Sequence, residues 1–186
     1  MTKKFMRMLL LGFVFILCSC SESSIKAEMS KMMYQQVVIP YDKLDKRECS
    51  LFRNSLNCDS GFTLVVYVDG NHCVPCELSD LSLMEKSNSQ DTMWQRLHKV
   101  YIFDARPENV SFLYMQLCNL RIEQDVFFDT CGVFRQTNPI IPDSKMYHTF
   151  VLDRNKNVTL VGNPFQNQQL KKVLSTIIEE IPIPHQ

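Results

Sequence analysis

Short runs of apolar residues along the chain are each followed by a segment in which apolar residues recur at helical spacing. The clearest run is FTLVVYVD at residues 62–69, which is rich in β-branched and aromatic residues and predicts a strand buried on both faces. Similar runs at 99–105 and 125–130 predict two further strands. A shorter run at 35–41 predicts an additional strand before them, and residues 42–61 are expected to form a hairpin or an irregular loop.

The segments between these runs change from strand-like to helix-like periodicity. Near the C-terminus, the apolar segments 148–153 and 157–162 flank the polar turn RNKN, which predicts an antiparallel hairpin. Strands alternating with helices predict an α/β sandwich whose sheet is parallel in the centre and antiparallel at the C-terminal hairpin. The segments with helical spacing are 75–84, 92–98, 107–120 and 166–181.

The N-terminus has the pattern of an export signal. Three basic residues within the first seven positions precede an apolar stretch at 8–17, which is too short to span a bilayer as a permanent helix. The following Leu-Cys-Ser-Cys resembles the bacterial lipobox, which implies lipid attachment at Cys20; an ordinary signal peptide with an incidental cysteine is the alternative. We expect three parts: a lipoprotein signal peptide at 1–19, a polar tether at 20–34, and one domain at 35–186.

Charge gives little indication of a nucleic-acid partner. Removal of residues 1–19 leaves 17 Lys and Arg against 20 Asp and Glu, so the mature chain is mildly acidic. No basic patch stands out in the sequence, and the remaining length suits a single domain with a sizeable core. The expected location is the bacterial cell envelope, with the domain in the periplasm or at the cell surface.

Two cysteines stand at the point where the first buried strand gives way to a helix. Cys73 and Cys76 are the only pair with C-x-x-C spacing, and Pro75 would occupy the first helical turn. A structural zinc site would normally need four ligands in two close pairs, and the sequence has no second pair of this kind. Covalent haem attachment would need a histidine directly after Cys76, where the chain has Glu77. The motif therefore favours a disulfide, either redox-active or structural.

The order of these elements resembles that of a known family. A buried strand, CVPC opening a helix, a β-α-β crossover, and a final hairpin in TFVLDRNKNVTLVGNP followed by a helix are similar to the TlpA/ResA-like thiol-disulfide oxidoreductases. The chain also resembles the lipid-anchored thioredoxin-like proteins common in the Bacteroidetes. The resemblance covers roughly residues 35–181 and implies a thioredoxin-like three-layer α/β/α sandwich.

The resemblance implies a role for each active-site cysteine. Cys73 would lie at the helix N-terminus, where unpaired N–H groups and the helix dipole lower a thiol pKa, so it is expected to be the attacking thiol. Cys76, one turn later and less exposed, is expected to resolve the mixed disulfide. The implied enzyme reduces or exchanges protein disulfides without a metal or organic cofactor, and it needs a partner reductant. The alternative is a redox-inactive binding or assembly lipoprotein with a structural disulfide; a peroxidase is a third, weaker candidate.

Three positions depart from the family pattern. His148 stands where the family usually has a cis-proline facing the cysteines, and it could either donate to the Cys73 thiolate or be a tolerated polar residue. Tyr67 occupies the position of the buried acid, and His72 replaces a common tryptophan. Asp69 and Glu77 lie near the motif but do not match the family position, so the proton acceptor for Cys76 is unassigned.

The remaining cysteines allow several pairings. Cys49 and Cys58 are close enough in sequence for a disulfide, and a second bridge between Cys118 and Cys131 is conceivable; free buried cysteines are the alternative. Cys131 follows a predicted parallel strand at the edge where ligands bind in such sheets, so it is also a candidate for an additional redox thiol.

Overall fold

The computed structural model of this chain describes residues 24–47, 61–71, 73–122 and 124–180. The predicted signal peptide, the lipidation site Cys20, His72, and the pair Cys49 and Cys58 lie outside the described residues.

Six strands form one mixed sheet in the order β1-β4-β3-β2-β5-β6. Strands β2, β3 and β4 are parallel to one another, whereas β1 at one edge and the β5-β6 hairpin at the other are antiparallel to their neighbours. This arrangement confirms the predicted mixed sheet. The strands are β1 (Asp45–Arg47), β2 (Thr63–Val68), β3 (His98–Asp104), β4 (Asp125–Asp129), β5 (Thr149–Leu152) and β6 (Val158–Val161).

Helices connect the strands and close the domain. The described helices are α1 (24–32), α2 (Val74–Asn88), α3 (Thr92–Arg96), α4 (Pro107–Asn119), α5 (Val133–Thr137) and α6 (Gln168–Glu180). Helices α2 and α3 lie between β2 and β3 in sequence, and α4 lies between β3 and β4. With the C-terminal β5-β6 hairpin and α6, the fold is a thioredoxin-like α/β/α sandwich, as the sequence predicts.

Side chains of the central strands alternate between two cores. Along β2, Leu64 and Val68 face the core shared with α2, α4 and α6, whereas Val65 and Tyr67 face the core shared with α1 and α5. This alternation follows from the two-residue repeat of a strand, and it explains why β2 is an almost continuous apolar run.

The prediction of a strand at 35–41 is wrong. Only Gln36 forms a bridge there, opposite Asn157. The Val37 N–H donates to the Lys156 carbonyl, and the Val38 N–H donates to the Asn138 side chain, so irregular partners use the donors that a strand would offer. Pro40, which has no N–H, then leads into a 3-10 turn at Tyr41–Lys43.

Part of the predicted tether at 20–34 is helical. Residues 24–32, assigned above to the tether, form α1, and Met32 at its end is fully buried in the second core. The Tyr34 N–H donates to the Val158 carbonyl at 2.8 Å and joins this segment to β6. The polar sequence predicts a tether because the apolar contacts of residues 24–33 come from only a few methionines, including Met29 and Met33.

We predict that Met32→Ala lowers the free energy of unfolding by about 2–4 kcal/mol, because it removes a fully buried side chain and leaves a cavity. Urea unfolding of the domain beginning at residue 21 would measure the change. The matched control is Lys31→Ala at the neighbouring exposed position, expected to change stability by less than about 1 kcal/mol. Equal, small effects of both substitutions would mean that α1 does not pack on the domain.

Candidate active site

The C-x-x-C pair follows the carboxyl end of the central strand β2. Cys73 and Cys76 form a disulfide with their Cα atoms 5.4 Å apart. Cys73 is the N-cap residue of α2, and its carbonyl accepts hydrogen bonds from the N–H groups of Cys76 and Glu77 at 3.0 and 3.1 Å. Pro75 lies in the first turn, where its missing N–H costs no helical hydrogen bond. Both cysteine side chains are exposed, and the accessibility difference expected between them stays a prediction.

A tight turn carries the chain from β2 to Cys73. The Asp69 carboxylate accepts a hydrogen bond from the Asn71 N–H at 2.8 Å, which is the Asx turn expected of a strand-end aspartate. Gly70 approaches β3 so closely that a Cβ atom there would lie 2.9 Å from the Asp104 carbonyl oxygen. Any larger residue would push the turn, and with it the cysteines, away from the end of β3.

Asp104 is a site residue that the sequence reasoning missed. Burial raises the pKa of its carboxyl group, and the nearby carboxylates Asp129 and Asp69 raise it further. Hydrogen bonds from the Gly70 N–H and the Tyr67 hydroxyl act in the opposite direction but do not cancel the shift. The available signal was its place at the end of the apolar run of β3, since parallel strands bring their carboxyl ends to the same edge.

Tyr67 and Asp104 together occupy the region where the family resemblance implies a buried acid. The pKa of Tyr67 is raised, first by burial and then by Asp104 and Asp69, so the phenol is a hydrogen-bond donor at neutral pH. Tyr67 faces the core on the side of the sheet opposite α2. A carboxyl group of raised pKa is therefore present at the carboxyl end of the strand next to β2.

We predict that Asp104→Asn gains stability relative to the native chain as pH rises above about 4. A carboxyl group whose pKa is raised in the folded state binds its proton more tightly there, so it contributes stability at low pH that is lost as pH rises through the folded pKa. The asparagine variant lacks this loss. Urea unfolding between pH 4 and 7 would measure the difference.

Asp91 provides a control, because its pKa is lowered whereas the pKa of Asp104 is raised. Burial alone would raise its pKa, but the Lys171 ammonium and the N–H groups of Trp94 and Met93 outweigh burial and lower it. Asp91→Asn should therefore cost most stability at neutral pH, and the cost should shrink as pH falls through the folded pKa. If both variants show the same pH trend, the environment assigned to Asp104 is wrong.

A charged contact holds the turn before β5 against the first turn of α2. The Lys145 Nζ atom lies 2.5 Å from a Glu77 carboxylate oxygen and 3.6 Å from an Asp80 oxygen. The hydrogen bond that Lys145 donates to Glu77 is the main reason that the pKa of Lys145 is raised. The loop at 138–143 leads into this turn, which is a 3-10 turn at Lys145–Tyr147.

His148 lies directly before β5 and is 2% exposed. Its carbonyl accepts the Tyr67 N–H at 2.8 Å, and its ring lies against the Tyr67 ring. The Nε2 atom is 3.0 Å from the Pro142 carbonyl oxygen. Arg135 of α5 lies 3.3 Å from the same atom and donates to the same carbonyl at 2.9 Å. A donation from His148 to the Cys73 thiolate stays a prediction.

The bridge between Cys118 and Cys131, which the sequence allows, is not formed. Cys131 is a free, exposed thiol, whereas Cys118 takes part in a disulfide, so a Cys118–Cys131 bridge is wrong. The physical reason lies at the end of β4. The Asp129 carboxylate accepts hydrogen bonds from the N–H groups of Cys131, Val133 and Phe134, and this fixes the loop that carries Cys131.

Two kinds of feature are absent from the described residues. No helix there is both long and apolar enough to cross a membrane. No group of three or more His, Cys, Asp or Glu side chains in the described ranges is arranged to hold a metal ion.

Solved structures with similar folds were found, although no protein-family model and no curated protein matches the sequence. An uncharacterized thioredoxin-like protein from Porphyromonas gingivalis is 14% identical over 68% of this chain and 81% of its own, with a TM-score of 0.46. Yeast Sco1 with copper bound is 14% identical over 70% and 86%, with a TM-score of 0.48. The thioredoxin domain of a Bacteroides vulgatus thiol-disulfide oxidoreductase is 10% identical over 63% and 82%, with a TM-score of 0.42. The assignment of the fold rests on the strand order of the sheet and not on these similarities.

Proposed function

We propose that this protein is a thiol-disulfide oxidoreductase that reduces or exchanges disulfides of other proteins through Cys73 and Cys76. The observation that carries the proposal is the exposed disulfide between these residues at the N-terminus of α2. A helix N-terminus stabilises a thiolate, and exposure lets a second protein reach the sulfur atoms. A buried bridge between two core elements would favour a structural role.

The reaction needs only the two sulfur atoms and a partner reductant. In the reduced protein, the Cys73 thiolate attacks a substrate disulfide, forms a mixed disulfide and releases one substrate thiolate. Deprotonated Cys76 then attacks the Cys73 sulfur and releases the second substrate thiolate, which leaves the Cys73–Cys76 disulfide. The substrate gains two electrons and, on protonation, two protons. A dithiol partner returns the enzyme to its reduced state by the same chemistry.

The surrounding charges support this use of the pair. Lys145 neutralises Glu77 in the first turn of α2, so this carboxylate opposes a thiolate at Cys73 less than an unpaired one would. Asp104 lies at the end of the neighbouring strand and bonds the turn that leads to Cys73. The alternative function is a redox-inactive binding or assembly protein in which the same disulfide only stabilises the start of α2.

Redox titration of the soluble domain beginning at residue 21 separates these functions. We expect the Cys73–Cys76 disulfide to open reversibly between about −270 and −120 mV, the range of known oxidoreductases, in buffers of graded thiol and disulfide content. Mass spectrometry after alkylation would measure the open fraction. Cys73 should react first at mildly acidic pH, and Cys76→Ser should accumulate the mixed disulfide on Cys73.

Cys131→Ser serves as the matched control for the titration, because Cys131 is an exposed thiol outside the pair. Its substitution should leave the midpoint unchanged if Cys131 takes no part in exchange; a changed midpoint or turnover would support its use as an additional redox thiol. A pair that opens only when the domain unfolds would overturn the proposed activity and favour the structural alternative.

We also propose that the protein is a lipoprotein of the bacterial cell envelope, anchored through Cys20. The support is the sequence pattern at residues 1–20. The full-length chain should enter the membrane fraction and incorporate labelled palmitate, and Cys20→Ser should lose the label. Cys18→Ser is the control, because this residue would be removed with the signal peptide. Palmitate labelling that survives Cys20→Ser would contradict the proposal.

A further inference from the structure

An apolar groove lies between helices α2 and α4 and begins at Pro75, the residue next to Cys76. It encloses about 620 Å³. Pro75, which separates the two cysteines, lines one end, and Lys86 lines it three turns further along α2. At 1.5 Å per helical residue, these positions are about 16 Å apart along the helix.

The walls of the groove expose two large apolar side chains. Leu83 on α2 is 64% exposed and Phe112 on α4 is 57% exposed, and both line the groove. Leu78 and Leu113 form part of its lining, while each also contributes to the first core. Lys86 is the only charged side chain among the described residues that line the groove.

We infer that this groove binds an apolar segment of a partner protein that carries the cysteine exchanged at Cys73. The inference rests on the proposed thiol-disulfide exchange. A partner whose sulfur reaches Cys73 must lie beside Pro75, and the groove continues from that residue without leaving α2. The occupant is an extended segment with apolar side chains against Leu83 and Phe112 and a carboxylate near Lys86.

Dimensions set the length of this segment. An extended chain advances about 3.3 Å per residue, so about five residues separate the partner cysteine from the group that meets Lys86. Burial of Leu83 and Phe112 supplies binding energy, while the lysine adds an orientation preference that weakens with salt. The groove therefore selects among cysteines by the sequence beside them.

The chemical step is the exchange described above. The Cys73 thiolate attacks the cysteine sulfur of a peptide mixed disulfide, a new sulfur-sulfur bond forms, and the leaving thiolate departs with the electron pair of the old bond. Cys76 then releases the peptide thiolate and forms the Cys73–Cys76 disulfide. Two electrons pass from the cysteine pair to the substrate disulfide.

Synthetic peptides test the inference with the reduced domain that begins at residue 21. Each peptide carries one cysteine as a thionitrobenzoate mixed disulfide, with two leucines and a terminal glutamate placed within about five residues before or after the cysteine. Matched peptides carry serine and glutamine instead. The thionitrobenzoate mixed disulfide of N-acetylcysteine methylamide is the small probe, and release of thionitrobenzoate gives the rate.

We expect Leu83→Ser or Phe112→Ser to lower the second-order rate for a leucine peptide by about tenfold and to leave the small probe unchanged. Lys86→Gln should lower the rate by about twofold to fivefold, and only for the glutamate peptides. The control is Val173→Ser on α6, because Val173 is 47% exposed and does not line the groove. Circular dichroism and the disulfide midpoint should match the native domain in every variant.

Equal rates for leucine and serine peptides, or an equal loss of peptide and small-probe rates in the groove variants, would overturn the docking inference while leaving exchange at Cys73 intact. A dimer that forms at assay concentration and is lost in Leu83→Ser would assign the groove to a second copy and would also overturn it. Failure of every mixed disulfide, including the small probe, to react with the native domain would overturn the proposed function itself.

Discussion

The pairing of β2 with β3 on one side and with β5 on the other is the constraint on which the site depends. In the parallel pair, Val68 lies opposite Phe103, so both strands end at the same edge. On the antiparallel side, Val66 lies opposite Thr149, and the Tyr67 N–H bonds the His148 carbonyl. A register shift of one residue would move every side chain of β2 to the wrong core, so burial on both faces fixes where the site forms.

Two groups of side chains lie at this carboxyl end of the sheet, one on each face. The disulfide opens α2, which packs on the first core, while Tyr67, Asp104 and Asp129 lie on strand positions that face the second core. Gly70 connects the two groups. It has no side chain and therefore lies close to the β3 backbone, and its N–H donates a hydrogen bond to the Asp104 carboxylate. A change in the charge of Asp104 is thereby linked to the turn that holds Cys73. Asp129 serves a different purpose, since three backbone N–H groups occupy its carboxylate.

Elements whose physical cause is local form as the sequence predicts. The continuous apolar run at 62–69 is the buried strand β2, the proline at position 75 lies in the first turn of α2, and the segments around RNKN form a hairpin. The strand predicted at 35–41 is absent, and residues 24–32 form a helix inside the predicted tether. At 35–41, tertiary partners use the backbone donors; at 24–34, a polar sequence buries only a few side chains against the second core. Neither cause can be read from periodicity.

By itself, the sequence determined the layered fold, the C-x-x-C pair at a helix start and the absence of a second C-x-x-C pair, because each depends on residue order over a few turns. Only the tertiary structure decided that Asp104 lies beside Tyr67 and that Cys131 is not bonded to Cys118. It also decided that Pro75 lines an apolar groove. These features join residues far apart in the chain. Strand register and helix packing bring them together, and neither is written in local spacing.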